Sequence, residues 1–396
     1  MIARRLRIIV GGFLACWPLG GVTWDYAQYL IGLQRLGHDV YYYENHGMTP
    51  IPPLKYPDFP DGTYSAKYIA NFFERYAPEL CDRWHYNHLR QTSFGMDEAE
   101  FGEIARSADV FLNVSGASSM PEYLSSRCVK VYLDSDPGLN QILLSENFPW
   151  KVNQERWKST VRSYDQFFTY AENIHNTDCI VPTVGINWKT TRMPVVLPLW
   201  ELFSHFHPPE GSPWTTIMTW DSYRDGALIY KGVTYGSKVP EFERLIDLPR
   251  NTDASLMIAL GGKAPVKELE DHGWLVLHGP SATLTPGQYQ EYIAASRGEI
   301  APAKNVYVAM RTGWFSCRSA CYLAAGRPVI VQDTSFPNII PSGQGILPFR
   351  SMEEAAASID EAETNYERHA KAARAIAEEY FDSNKVLTNL IESAME

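Results

Sequence analysis

The sequence predicts an α/β chain in two halves, each a mostly parallel sheet with helices on its faces, meeting at a cleft. Three observations carry this. Short apolar runs alternate with helix-periodic stretches from Arg7 to Phe349. Most of those runs end in small or polar residues, where open α/β sheets present groups to ligands. The alternation breaks at Ser204–Gly211 (SHFHPPEG), which places the domain boundary there, giving residues 1–204 and 205–396. A chain of 396 residues suits two such domains.

In the first half, Arg7–Val10 reads as a buried strand. It enters a loop carrying Gly11, Gly12, Gly20 and Gly21, which either let backbone approach a ligand closely or build a tight turn. Arg4, Arg5 and Arg7 before an apolar stretch resemble a secretory leader, but the break at Gly11-Gly12 favours a strand. Trp24–Leu36 is helix-periodic and Asp39–Tyr43 is the next strand. The glycine spacing is not GxGxxG, although Glu44 stands where a ribose-binding acid would. Thr49–Pro60 is a proline-rich surface excursion, and Ala66–Tyr76 is helical. Trp84–His88 is an aromatic and polar cluster, in which His85 and His88 would share a face if it were helical. With no third ligand they are read as hydrogen-bonded histidines.

Strands resume at Asp109–Val114, Val129–Leu133 and Phe167–Tyr170. The second of these ends in Asp134-Ser135-Asp136-Pro137-Gly138. Asp134 and Asp136 are candidate catalytic carboxylates, because a carboxylate facing a cleft can take a proton. Pro137-Gly138 suits a turn-building role for the same pair. Lys189–Trp200 reads as a strand and a proline-interrupted connection.

In the second half, strands are expected at Thr215–Trp220, Ser255–Leu260, Leu275–Leu277, Val306–Val308, Val329–Val331 and Ile346–Phe349. Arg311–Thr334 organises this half. Gly313 and Ser316 open a helix, Gly326 ends it, and Arg327-Pro328 blocks its continuation. The helix start offers N–H groups and a positive dipole end beside Arg311 and Arg318, a combination that suits a phosphate. Ser316 and Ser319 lie in its first turn. Lys238 reads as a further cation for that phosphate or as a solvated surface lysine. Trp314 either stacks on a base or fills the core. Asp333 and Thr334 follow a buried strand, where polar groups meet a ligand.

The net charge of −11 argues against broad contact with nucleic acid or anionic lipid, so no nucleic-acid partner is expected. Six scattered cysteines without CxxC suit a reduced, cytoplasmic protein. No segment has the length and apolarity of a membrane span.

Two stretches carry a family resemblance. They are the glycine loop with its helix and GHDV strand (Gly20, Gly21, Gly37 to Val40) and AAGRPVIVQDT (Ala324 to Thr334). On these the chain resembles the GT-B glycosyltransferases over nearly its whole length. The resemblance implies two Rossmann-like domains, the first on the acceptor side and the second binding the donor, with the last helices crossing back to the first. It implies a hexosyltransferase-like enzyme that moves sugar from a nucleotide-diphosphate donor, expected to be a UDP-sugar, to a small-molecule or glycan acceptor. Neither a metal nor a resident cofactor is expected. In that reading Lys238, Arg311, Trp314, Ser316, Arg318, Ser319, Asp333 and Thr334 bind the donor. Cys321 stands where many retaining members carry a glutamate. A nucleotide-sugar epimerase and a non-catalytic carbohydrate- or nucleotide-binding relative remain open alternatives.

Overall fold

The computed structural model describes residues 4–51, 62–148, 150–151, 153–220 and 228–396. Most of the Thr49–Pro60 excursion, residues 52–60, lies outside them. The first sheet comprises β1 (Arg7–Gly11), β2 (Asp39–Glu44), β3 (Trp84–His88), β4 (Thr92–Gly95), β5 (Val110–Val114), β6 (Val129–Asp134), β7 (Gln166–Thr169) and β8 (Lys189–Thr190). Its order is β4-β3-β2-β1-β5-β6-β7-β8, parallel except for the β3–β4 edge pair.

The second sheet follows β9 (Trp214–Thr219) and a small antiparallel hairpin, β10 (Leu228–Tyr230) with β11 (Val233–Tyr235). Its other strands are β12 (Leu256–Gly261), β13 (Leu275–His278), β14 (Gly298–Ala301), β15 (Val329–Gln332) and β16 (Ile346–Phe349). The order β13-β12-β9-β14-β15-β16 is parallel throughout. Each sheet reverses its winding once, between β1 and β5 and between β9 and β14. Open α/β sheets bind ligands outside the carboxyl ends at such points.

Two expectations are corrected. Trp84–His88 is a strand, because its aromatics alternate across the sheet. Trp84 and Tyr86 pack into the core on one face, while His85 stacks on Tyr43 and Phe101 on the other. Val306–Val308 belongs instead to a short helix, Asn305–Ala309. The strand in that region is β14, whose Glu299 disguises it by placing a carboxylate in a fully buried run.

The chain leaves the first sheet after β8 and returns to it at its end. Val195 N–H donates to the Phe381 carbonyl (2.7 Å), and Ser383 N–H donates to the Val195 carbonyl (2.9 Å). The Ser383–Met395 helix then packs on the first helix, Gly20–Arg35. A Cβ at Gly32 would lie 2.4 Å from a Leu387 methyl and 3.0 Å from Ser383 Cβ, so a larger residue there would displace side chains of the last helix.

Candidate functional site

A cleft of about 960 Å³ lies between the two sheets. Val114 and Ser115 at the end of β5, and Ser135 and Asp136 after β6, line one wall. Met218 and Thr219 of β9, Gly261 and Gly262 at and beyond the end of β12, and His278 of β13 line the other. Both sheets therefore turn their carboxyl ends to one space, and one helix from each starts there.

The first-domain helix is Gly20–Arg35. The loop before it is anchored from below by Glu44, which is fully buried and accepts from Ala15 N–H (2.6 Å) and Cys16 N–H (2.8 Å). His46 Nε2 lies 2.8 Å from the same carboxylate, and Tyr42 donates its hydroxyl to it. Glu44 thus fixes a loop, and its carboxylate is fully engaged there. Gly20 faces the second domain so closely that a Cβ would sit 2.2 Å from the Thr285 carbonyl oxygen. Asp25, in the helix's second turn, lines the cleft. Burial pushes its carboxyl up to about 7, with Arg318 and a hydrogen bond from Cys317 opposing the shift.

The second-domain helix is Cys317–Ala324, with Ser316 as its N-cap. No side chain caps it, so its first N–H groups remain available to the cleft. Arg318 occupies its first turn, where a cation opposes the helix dipole. The position is held by buried Glu299, which pairs with Arg318 Nε, and by the Ile217 carbonyl, which accepts from Nη1 at 2.7 Å. Among the described residues nothing accepts from Arg318 Nη2. Lys238 lines the cleft as well. Burial holds its ammonium well below the usual range, Arg318 and Lys304 push the same way, and Glu299 opposes them.

No family model and no curated protein matches the sequence. Solved structures match along the full length. An α-glucosyltransferase in complex with UDP and a 13-mer DNA containing a HMU base aligns at TM-score 0.59 and 11% identity, over 99% of this chain and 100% of that one. Sucrose-phosphate synthase from Thermosynechococcus elongatus aligns at 0.55 and 11%, over 98% of each. A glycosyltransferase from Rickettsia africae aligns at 0.51 and 10%, over 99% and 98%. This is the GT-B glycosyltransferase fold. The expected exclusion of nucleic acid is corrected by the first of these, since a GT-B chain matching end to end stands in complex with DNA. Net charge sums over the whole surface, whereas a nucleic acid meets one face of it. No helix among the described residues is long and apolar enough to cross a membrane.

Within this GT-B cleft the residues singled out from the sequence separate into two groups. Gly21, Asp136, Lys238, Trp314, Ser316 and Arg318 line it. The others lie behind it or beside it. Asp134 is fully buried and accepts from Gln141 (2.6 Å), Asn140 (2.7 Å) and Thr169 (2.8 Å), which makes it a strut at the end of β6. Ser319 donates to buried Glu299. Thr334 donates to the Trp314 carbonyl (2.6 Å), and Asp333 pairs with Arg350 (2.7 Å). Arg311 pairs with Asp178 of the first domain (2.8 Å). Gly11 and Gly12 pack against Asn113 and against the Tyr26 and Tyr42 rings.

Asp136 reaches across the cleft to Lys304 (2.6 Å) and Tyr307 of the second domain. Trp314 stacks on Tyr307, with centroids 4.3 Å apart, and donates Nε1–H to the Ser135 carbonyl (3.3 Å). These contacts hold the two walls together. Asp25 is the cleft residue that sequence reasoning missed. On a helix-periodic stretch an acid reads as a solvated charge, whereas here it lies buried in the cleft with Cys317 and Arg318 of the other domain as its polar neighbours.

Proposed function

We propose that the chain is a glycosyltransferase moving a sugar from a UDP-linked donor to an acceptor hydroxyl. One observation supports this most: Asp25 on one helix start and Arg318 on the other meet in a single cleft at the carboxyl ends of both sheets. Fold matches that carry UDP favour that carrier. In this reading the diphosphate lies against the first N–H groups of the Cys317–Ala324 helix, Arg318 and Lys238. The bond from the anomeric carbon to phosphate oxygen breaks, and UDP leaves with the electron pair. The acceptor oxygen bonds to that carbon and yields its proton to Asp25, whose affinity for a proton suits a base near neutrality. Preorganised cations stabilise the charge that develops on the leaving phosphate. The reading requires no resident metal, so EDTA should leave turnover unchanged. Six free cysteines fit a cytoplasmic setting.

Calorimetry with UDP at pH 7 in buffers of different ionisation enthalpy tests this. An anion in the cleft favours the protonated forms of both Lys238 and Asp25, so UDP should bind with net proton uptake. Arg318→Lys should weaken the binding. Absence of UDP binding, or binding that releases protons, would remove the reading.

A further inference from the structure

We infer that the first-domain mouth of the cleft is a preformed subsite for an uncharged, apolar acceptor with a hydroxyl group, of the phenol or alicyclic alcohol class. The inference rests on the transferase reading and names the other substrate of the same site.

Trp17, Leu19, Val22 and Ile51 line this end of the cleft. Trp17 is 38% exposed and Ile51 48%, a costly exposure for two large apolar side chains unless something covers them in use. Ile51 N–H donates to the Cys16 carbonyl at 2.8 Å, which ties the two segments side by side. Cys16 and Ala15 are held in turn by buried Glu44, and the Ala15 carbonyl accepts from Ser65 (2.7 Å). The backbone beneath Trp17 and Ile51 is therefore tied to the first domain before any ligand arrives, which lowers the entropy lost on binding.

Its chemistry specifies the occupant. Four apolar side chains offer no hydrogen bonds beyond the Trp17 indole N–H, whereas a saccharide has hydroxyls to satisfy around its whole rim. The formal charges on the first-domain wall among the described residues are the carboxylates Asp25 and Asp136; the wall has no cation to hold an anionic acceptor, Asp136 is already paired with Lys304, and burial favours the neutral form of Asp25. Val22 and Asp25 are three residues apart on one helix and so share a face. An apolar body resting on Val22 can thus extend one hydroxyl toward Asp25. Small-molecule sites commonly combine apolar walls with a few convergent polar groups in this way.

The test uses the full-length protein saturated with UDP, with 1-naphthol, maltotriose and hydroxymethyl-containing DNA as probes in separate titrations. 1-Naphthol is expected to bind, and Trp17→Ala to weaken it about tenfold, the loss of one aromatic contact. Ile51→Ser should weaken it about fivefold. UDP affinity and melting temperature should stay unchanged in both variants, because these side chains are exposed and lie apart from the cations. With UDP-glucose as donor, naphthyl glucoside should form. Absence of 1-naphthol binding, equal binding in Trp17→Ala, or transfer confined to maltotriose or DNA would overturn the inference. Naphthol binding by a protein that fails to bind UDP would instead keep the apolar subsite and remove the transferase reading.

Discussion

The Gly20–Arg35 helix follows β1 directly and the Cys317–Ala324 helix follows β14 by way of the short Asn305–Ala309 helix, yet both begin at the cleft with no side chain capping their first N–H groups. The first carries an acid, Asp25, and is packed so closely on its neighbour that Gly20 has no room for a Cβ against Thr285. The second carries a cation, Arg318, placed against its own helix dipole and held there by a buried glutamate. Two helix starts thus place opposite charges on two sides of one space. In the proposed reaction one helix start is the proton acceptor and the other the counter-charge for phosphate. The helix start sets position, and a single side chain sets the task.

The sharpest way to break this comparison is to remove the acid. Asp25→Asn keeps the shape and loses the base, so kcat should fall by about 10²- to 10⁴-fold with UDP affinity retained. In the unaltered protein kcat/KM should drop about tenfold per pH unit below about 7, since protonated Asp25 cannot accept a proton. Steady-state kinetics from pH 5 to 8 would show it. A flat profile would place the base elsewhere.

Removing the cation comes second. Arg318→Ala should lower kcat/KM by about 10- to 150-fold, the range for a hydrogen bond to a charged group. It should also destabilise the fold by about 3–5 kcal/mol, because it strands Glu299 in the core. Adding Glu299→Gln separates these effects: the melting temperature should recover while activity does not. Recovery of both would make Arg318 purely structural.

The smallest expected effect is at the bridge between the walls. Asp136→Asn removes the ion pair with Lys304, in which both side chains are about a quarter exposed, so turnover should change about two- to fivefold. Small-angle scattering should show a modestly larger radius of gyration without UDP. A hundredfold loss of kcat would make Asp136 the base and Asp25 its bystander.

Much of the fold was legible because it is written locally. Arg7–Gly11 and Val329–Gln332 are short apolar runs, and the stretches that follow them carry glycines at turns. β14 was hidden because its Glu299 is satisfied by Arg318 and Ser319, which come later in the chain. The site was legible where a single stretch defines it, as at Trp314, Ser316 and Arg318. It was hidden where two domains define it. Asp134 and Asp136 look alike in sequence, yet the first is buried under Gln141 and Thr169 while the second spans the cleft. Asp25 owes its raised proton affinity to burial in a cleft that two domains close, tempered by Arg318 and Cys317 nearly three hundred positions away, a balance no local pattern can hold.

The paired crossing at Val195 and Phe381–Ser383 has a consequence for how such a protein can be rebuilt. Topologically the second sheet and its helices are an insertion: the chain enters and leaves that body at adjacent points. A graft between two proteins of this architecture therefore needs only two junctions, about 4.8 Å apart as paired strands are, rather than scattered across an interface. The body built on the second sheet can be exchanged as one cassette, while the first-domain wall with Trp17, Asp25 and Ile51 stays intact. The two walls of the cleft can thus be recombined independently of one another.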